Sequence, residues 1–283
     1  VKRAVRFFFV LVLAVFSVVL PNYYRVLANP YRLAKSNFPM PFRPEWEVPI
    51  SEENKSQIIS ILLQPFTYLG KGVQSYAFLS ADRNYVLKLF RCDSSQLKQG
   101  QKIVEYIEKK FNKNARSRRN DLAYCENMFN ASKISYERLP EETGLVLVHL
   151  NLHPEKWPLI TIKDYLGFIH YVDAAETRFV LQKRADKIFP TLSRALREDR
   201  DLFNRMIRSF ASLLSSFEKK GISIDDAKMP SNFGFLKDRA IQIDFASNSD
   251  NSKTAADQTE KFRARMRSWL QIKAPDALQY LND

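Results

Sequence analysis

Residues 68–90, YLGKGVQSYAFLSADRNYVLKLF, constrain this chain more than any other stretch. Only 7 glycines occur in 283 residues, yet Gly70 and Gly72 stand two apart. Residues 76–79 and 85–90 alternate apolar positions around Ala81-Asp82-Arg83-Asn84, which is good turn chemistry, so two strands of a hairpin are expected. In that alternation Lys88 shares a face with Val86 and Phe90. A desolvated ammonium costs several kcal/mol unless an anion meets it. Glycines just upstream would let backbone amides approach that same anion closely. The stretch thus reads as a phosphate site, or more plainly as a hairpin whose lysine snorkels to water.

A chain of 33.0 kDa with 45% hydrophobic and 13% aromatic residues has material for a real core, which excludes a disordered protein. The formal charge of +13 is clustered. Lys2, Arg3, Arg6, Arg25, Arg32, Lys35 and Arg43 precede the first acid, Glu45, and Lys109, Lys110, Lys113, Arg116, Arg118 and Arg119 form a second group. Such groups suit anionic lipid or nucleic acid, although a solvated helix face is the plainer reading. With no zinc-finger spacing and no aromatic single-strand-binding pattern, no specific nucleic-acid partner is expected. Cys92 and Cys125 fit two free thiols or one bridge. His149, His153 and His170 lack helical metal-ligand spacing and read as strand or loop residues.

Lys2, Arg3 and Arg6 lead into residues 7–20, apolar except for Ser17, and then Pro21. A helix of that length reaches about 21 Å, against roughly 30 Å of hydrocarbon. Residues 1–28 are therefore expected to be a signal peptide or a membrane anchor, with Val26-Leu27-Ala28 as a small-residue cleavage site. The folded domain is then membrane-associated or exported. A first residue of Val is expected of a processed or partial chain, or of a non-standard bacterial start. Pro21, Pro30, Pro39, Pro41, Pro44 and Pro49 fall within residues 21–49, an extended tether, and residues 29–57 are expected to be a proline-rich basic linker, with folding from about Ser51.

Helical patterns follow over residues 94–111 and 121–138, the second stopped by Pro140. Strand character returns over 144–150, in a hairpin of 159–163 and 168–172, and over 178–183. Helices are expected at about 189–197, 199–220 and 256–270. Between them, residues 221–235 break the pattern, and a strand over 240–243 runs into Asp244-Phe245-Ala246. Asn232 before one strand and Asp244 ending the next would aim two oxygen ligands at one hard cation. The plainer alternative is a polar turn in which Asp225 or Ser223 caps.

In order and spacing these pieces resemble the protein-kinase-like superfamily over about residues 60–250. The resemblance implies an α+β, two-lobed fold: an antiparallel sheet lobe with helices, residues 58–183, and a smaller helical lobe, residues 184–283, closing over ATP and Mg2+. Gly70-Lys71-Gly72-Val73-Gln74-Ser75 looks like the glycine-rich loop, with Ser75 for the third glycine. Val86-Leu87-Lys88 looks like the lysine strand, so Lys88 is expected at the α/β phosphates. Glu126 is the best-placed acidic partner for Lys88, with Glu105 or Glu108 as alternatives. Gln182 to Asp186 falls where the lobes would hinge. Asp226-Ala227-Lys228 and Pro230-Ser231-Asn232 look like the catalytic loop, and Asp244-Phe245-Ala246 like the metal-binding aspartate motif.

Asp226 is thus expected to orient an acceptor hydroxyl, and Asn232 and Asp244 to hold the metal. The departures are several. No His-Arg pair precedes Asp226, Asp225 competes for its role, and alanine replaces the usual glycine at 246. Only 39 residues follow Asp244, too few for the activation segment and full helical lobe of a protein-phosphorylating kinase. In that reduction the chain is similar to small-molecule, sugar or lipopolysaccharide kinases of the superfamily. The expected activity is transfer of the ATP γ-phosphate to a hydroxyl acceptor. The alternatives are a nucleotide-binding pseudokinase scaffold and an unrelated membrane-tethered interaction domain.

Overall fold

The alternation between residues 75 and 90 becomes a hairpin of β2 (Ser75–Ser80) and β3 (Tyr85–Phe90). The structure, a computed structural model, describes Leu13, Phe16, Ser17 and residues 40–72, 74–91, 121–152, 157–225 and 229–281. The helix expected at 94–111, with Glu105 and Glu108, lies outside the described residues, as do the second basic cluster, His153, Asp226 and nearly all of residues 1–28. No helix among the described residues is long and apolar enough to cross a membrane.

β1 (Phe66–Lys71) pairs with β2, and a bulge between Tyr68 and Gly70 sets Leu69 out of register. β4 (Leu145–His149), β5 (Leu159–Lys163), β6 (Ile169–Asp173) and β7 (Phe179–Lys183) complete a seven-stranded sheet in the order β4-β7-β3-β2-β1-β5-β6. The expected antiparallel sheet needs one correction. β5 runs parallel to β1, Phe66 facing Ile162. The chain reaches β5 from the opposite edge of the sheet, so a crossover and not a tight turn fixes its direction.

Alternation along β3 loads both faces of the sheet. Leu87 and Leu89 go to one side, where α1 (Glu52–Leu62) lays Ile58, Ile61 and Leu62 over Phe66 and Phe78. Ser51 caps that helix, its hydroxyl accepting from the Asn54 amide at 3.3 Å. Phe90 goes to the other side, under Cys125, Met128 and Phe129 of α2 (Asp121–Arg138).

Residues 40–50, read from the sequence as part of a linker, pack against this second face. Met40, Trp46 and Val48 are buried, and the Trp46 ring meets Phe129 edge-on at 5.1 Å. The Trp46 indole N–H donates to Asn130 Oδ1 at 2.8 Å, and buried Arg178 donates to the Met40 carbonyl at 3.0 Å. The folded body thus begins by Met40 and not near Ser51. Proline content predicts an extended backbone, but says nothing of a groove that receives its large side chains.

After α3 (Pro140–Thr143) and the sheet, β8 (Asp186–Lys187) leads into the helical part: α4 (Ile188–Glu198), α5 (Arg200–Lys219), α7 (Ser252–Lys273) and a 3-10 turn at Pro275–Leu281. Its core is aromatic, with Phe203, Phe210 and Phe217 of α5 against Phe233 and Phe262. β9 (Ile222–Ile224), α6 (Met229–Asn232), β10 (Phe233–Leu236), β11 (Arg239–Gln242) and β12 (Asn248–Asp250) form the ledge facing the sheet. β10 pairs with both β11 and β8. Gly234 permits this: a Cβ there would lie 2.5 Å from the Asp186 carbonyl oxygen.

Candidate active site

Between sheet and ledge lies a cleft of about 750 Å³. Leu69, Ala77, Val86, Phe90, Met128 and Val180 supply an apolar wall, residues 182–187 a polar rim, and Lys88 and Asp244 the inner end. An apolar slot ending in a few convergent charges is the usual build of a small-molecule site.

Lys88 reaches this end because β3 alternation aims it off the sheet beside Val86 and Phe90. Its ammonium donates to the main-chain carbonyl of Ile243 and lies 4.9 Å from the Phe245 ring centroid. Burial pulls its pKa down from 10.5 to about 8, against the opposing pull of the Asp244 charge. Asp244 sits where β11 has ended and is exposed to the cleft. Its amide and that of Ile243 donate to the carbonyl of Asn232, at 3.3 and 2.7 Å. Phe245 turns inward and packs in one core with Met128 and Phe129 of α2. The motif thus joins the cleft to the helix.

The two expected metal ligands are adjacent in the backbone but differ in exposure. Asp244 opens onto the cleft, whereas the Asn232 side chain is fully buried and accepts from Ser231 Oγ at 3.0 Å. Asp244 is the carboxylate through which a divalent cation would be held. Gly72 and Ser75 line the cleft. Gly70, expected with them, is not among the lining residues, and a Cβ on it would meet nothing within 4 Å.

Glu126 does not join Lys88. Its carboxylate is held by the Arg43 guanidinium, which also stacks on Trp46 at 5.0 Å. Arg43 is tied in turn by Asn151, whose Oδ1 accepts from the Arg43 amide at 3.2 Å and whose Nδ2 donates to its carbonyl at 2.8 Å. The resemblance implied a partner for Lys88 on this helix; the segment before α1 occupies that carboxylate instead. Next to Glu126, Cys125 is buried and disulfide-bonded, and Cys92, the chain's other cysteine, lies outside the described residues.

Several residues around the cleft carried no sequence signal. Arg91 donates to the Gly72 carbonyl at 2.9 Å while its amide donates to the Gln74 carbonyl at 2.8 Å, pinning the glycine hairpin. Tyr124 of α2 lines the cleft; burial pushes its hydroxyl pKa up, against a hydrogen bond with the Gln74 side chain. Behind the hinge, buried Gln242 and Asn248 exchange side-chain amide bonds, both 2.8 Å. Asn248 also donates to Ser135 of α2 at 3.0 Å, and Gln182 donates to the Gln242 carbonyl at 3.0 Å. Of the histidines, His149 shares a hydrogen bond with the Thr177 carbonyl and His170 one with Asp164.

No family model and no curated protein matches the chain. Among solved structures it is similar to WbdD in complex with the kinase inhibitor LY294002, at 14% identity and a TM-score of 0.41 over 74% of this chain and 38% of that one. A structure described as the bifunctional kinase-methyltransferase WbdD aligns at 12% identity and a TM-score of 0.35, over 74% and 41%. Rv3197 of Mycobacterium tuberculosis in complex with erythromycin aligns at 16% identity and a TM-score of 0.32, over 97% and 73%. The chain covers less than half the length of the WbdD chains it matches. A glycine hairpin leads here into a lysine strand, a helix covers that strand, and an aspartate faces the lysine from the opposite ledge, the arrangement that the kinase-like resemblance implied.

Proposed function

We propose that the cleft binds ATP with Mg2+ and that the chain is a membrane-targeted phosphotransferase acting on a hydroxyl acceptor. The observation that carries this reading is the convergence of Lys88 and Asp244 at the polar end of one apolar-walled cleft. The wall suits a purine, and the inner end suits a triphosphate. Lys88 supplies a point charge to the phosphates, and its desolvation strengthens that contact. Glycine-hairpin amides give the phosphates close donors. Asp244 holds the cation, whose chemistry when bound is to offset phosphate charge. Asp226, assigned from the sequence and outside the described residues, orients the acceptor hydroxyl and takes its proton. The acceptor oxygen gains the γ-phosphorus as the bond to the β-phosphate oxygen breaks, leaving ADP.

A second reading, a nucleotide-binding scaffold without turnover, is favoured by the Arg43–Glu126 pair, which takes up the carboxylate best placed in the sequence for Lys88, the alternatives Glu105 and Glu108 lying outside the described residues. The bonded Cys125 also fits an oxidising compartment, where ATP is scarce. The test is ATP binding to the purified chain with and without Mg2+, followed by ADP formation with candidate hydroxyl acceptors. Tight Mg2+-dependent binding with acceptor-dependent ADP supports the enzyme, and binding without ADP supports the scaffold. No binding in either condition overturns both.

A further inference from the structure

The β5–β6 hairpin contributes nothing to the cleft, and it carries a cluster of large exposed apolar side chains. Tyr165, Leu166, Phe168, Ile169 and Tyr171, with Leu69 of neighbouring β1, are between 46% and 66% exposed. The pattern follows from strand geometry. Ile160, Ile162 and Val172 take the core face, which sends Ile169 and Tyr171 to the outer face of the edge strand. Soluble surfaces scatter such residues singly, and a contiguous patch marks a contact.

The turn itself is held by hydrogen bonds that converge on Asp164. Asp164 is buried, and its Oδ1 accepts from the amides of Leu166 and Phe168, each at 2.9 Å. Its Oδ2 shares a hydrogen bond with His170 Nε2 at 3.0 Å. The Asp164 amide donates to the Phe168 carbonyl at 2.9 Å, and the Gly167 amide to the Asp164 carbonyl at 3.0 Å. The tip therefore presents apolar side chains on a turn whose Leu166, Gly167 and Phe168 amides are all bonded from within, which lessens the polar backbone a low-dielectric phase would have to take up. Beside it the Lys163 stem lies against Gly167, a Cβ there falling 3.3 Å from Lys163 Cε. This sets a cation at the base of the apolar tip, as snorkelling lysines sit at a headgroup layer. The acid of β6, Asp173, is at the far end, opposite Leu159. Residues 7–20 of the same chain are apolar and flanked by basic residues, the sequence pattern expected of a membrane segment, so a bilayer is the partner of matching chemistry.

We propose that the tip of the β5–β6 hairpin inserts into an anionic lipid bilayer, Tyr165, Leu166 and Phe168 entering the acyl boundary and Lys163 meeting headgroup phosphate. The contact is separate from residues 1–28 and independent of nucleotide chemistry.

The test uses the full chain carrying Leu166→Trp, with Lys261→Trp on α7 as the control. Each is mixed with vesicles of phosphatidylcholine and phosphatidylglycerol whose acyl chains are brominated. Bromolipid should quench the indole at 166 severalfold more than the one at 261, and adding Tyr165→Ser with Phe168→Ser should remove that difference. Equal quenching at 166 and 261 overturns the proposal. So does an indole at 166 already shielded from aqueous acrylamide without vesicles, which would make the patch a protein contact with this chain or a second copy.

Discussion

Arg43, from the segment preceding the first helix, holds the carboxylate of Glu126 on the helix that covers the lysine strand. The Lys88 ammonium turns to the Ile243 carbonyl instead. The pair is about one-third exposed on each side, so its own contribution to stability is at most about 1 kcal/mol.

Arg43→Ala should free Glu126 for Lys88 and tighten nucleotide binding by about two- to fivefold, the ratio that about 1 kcal/mol permits. Glu126→Gln should leave binding nearly unchanged in the parent but reverse the gain in the Arg43→Ala background. The check is a double-mutant cycle of ATP affinities. Additive effects would mean that Glu126 has no access to Lys88.

Lys88→Ala should weaken ATP binding by roughly ten- to a hundredfold, the worth of one charged hydrogen bond of about 1.5–3 kcal/mol, with the thermal unfolding midpoint nearly unchanged. In the parent, affinity should be full below pH about 8 and fall as pH rises through it. Phosphate beside the ammonium raises its pKa, so binding above pH 8 takes up a proton. Calorimetry in buffers of differing ionisation enthalpy measures that uptake, which Lys88→Ala should abolish.

Asp244→Asn should remove the Mg2+-dependent part of nucleotide affinity and spare the part measured in EDTA. It also removes the charge that holds the Lys88 pKa up, so the decline of affinity with pH should begin lower than in the parent. If parent binding ignores both Mg2+ and this substitution, the cleft holds no metal site.

Gln242→Leu should cost about 2–3 kcal/mol, because it leaves the buried Asn248 amide short of two partners. For a chain of this size the unfolding midpoint should fall by about 5–10 °C. Adding Asn248→Leu should cost less than a second such loss, since the pair is then removed together. Scanning calorimetry on the three variants decides this.

Sequence determined the parts of this protein that repeat locally. The two-residue period of 85–90 fixed both β3 and the face on which Lys88 lies, and Pro140 fixed the end of α2 at Arg138. Asp244 was legible because a strand pattern ends at it. What tertiary structure alone decided are partnerships between segments far apart in the chain. The groove that buries Met40 and Trp46 exists only once α2 lies on the sheet, so a proline-rich stretch could not announce that it would dock. The partner of Glu126 followed from that docking, 83 residues away. The burial of Asn232 followed from the packing of the ledge. The parallel seat of β5 beside β1 and the bond from Asn248 to Ser135 are likewise contacts across the folded body. Local periodicity specifies which face a side chain takes; what meets that face is settled by the packing of the whole chain.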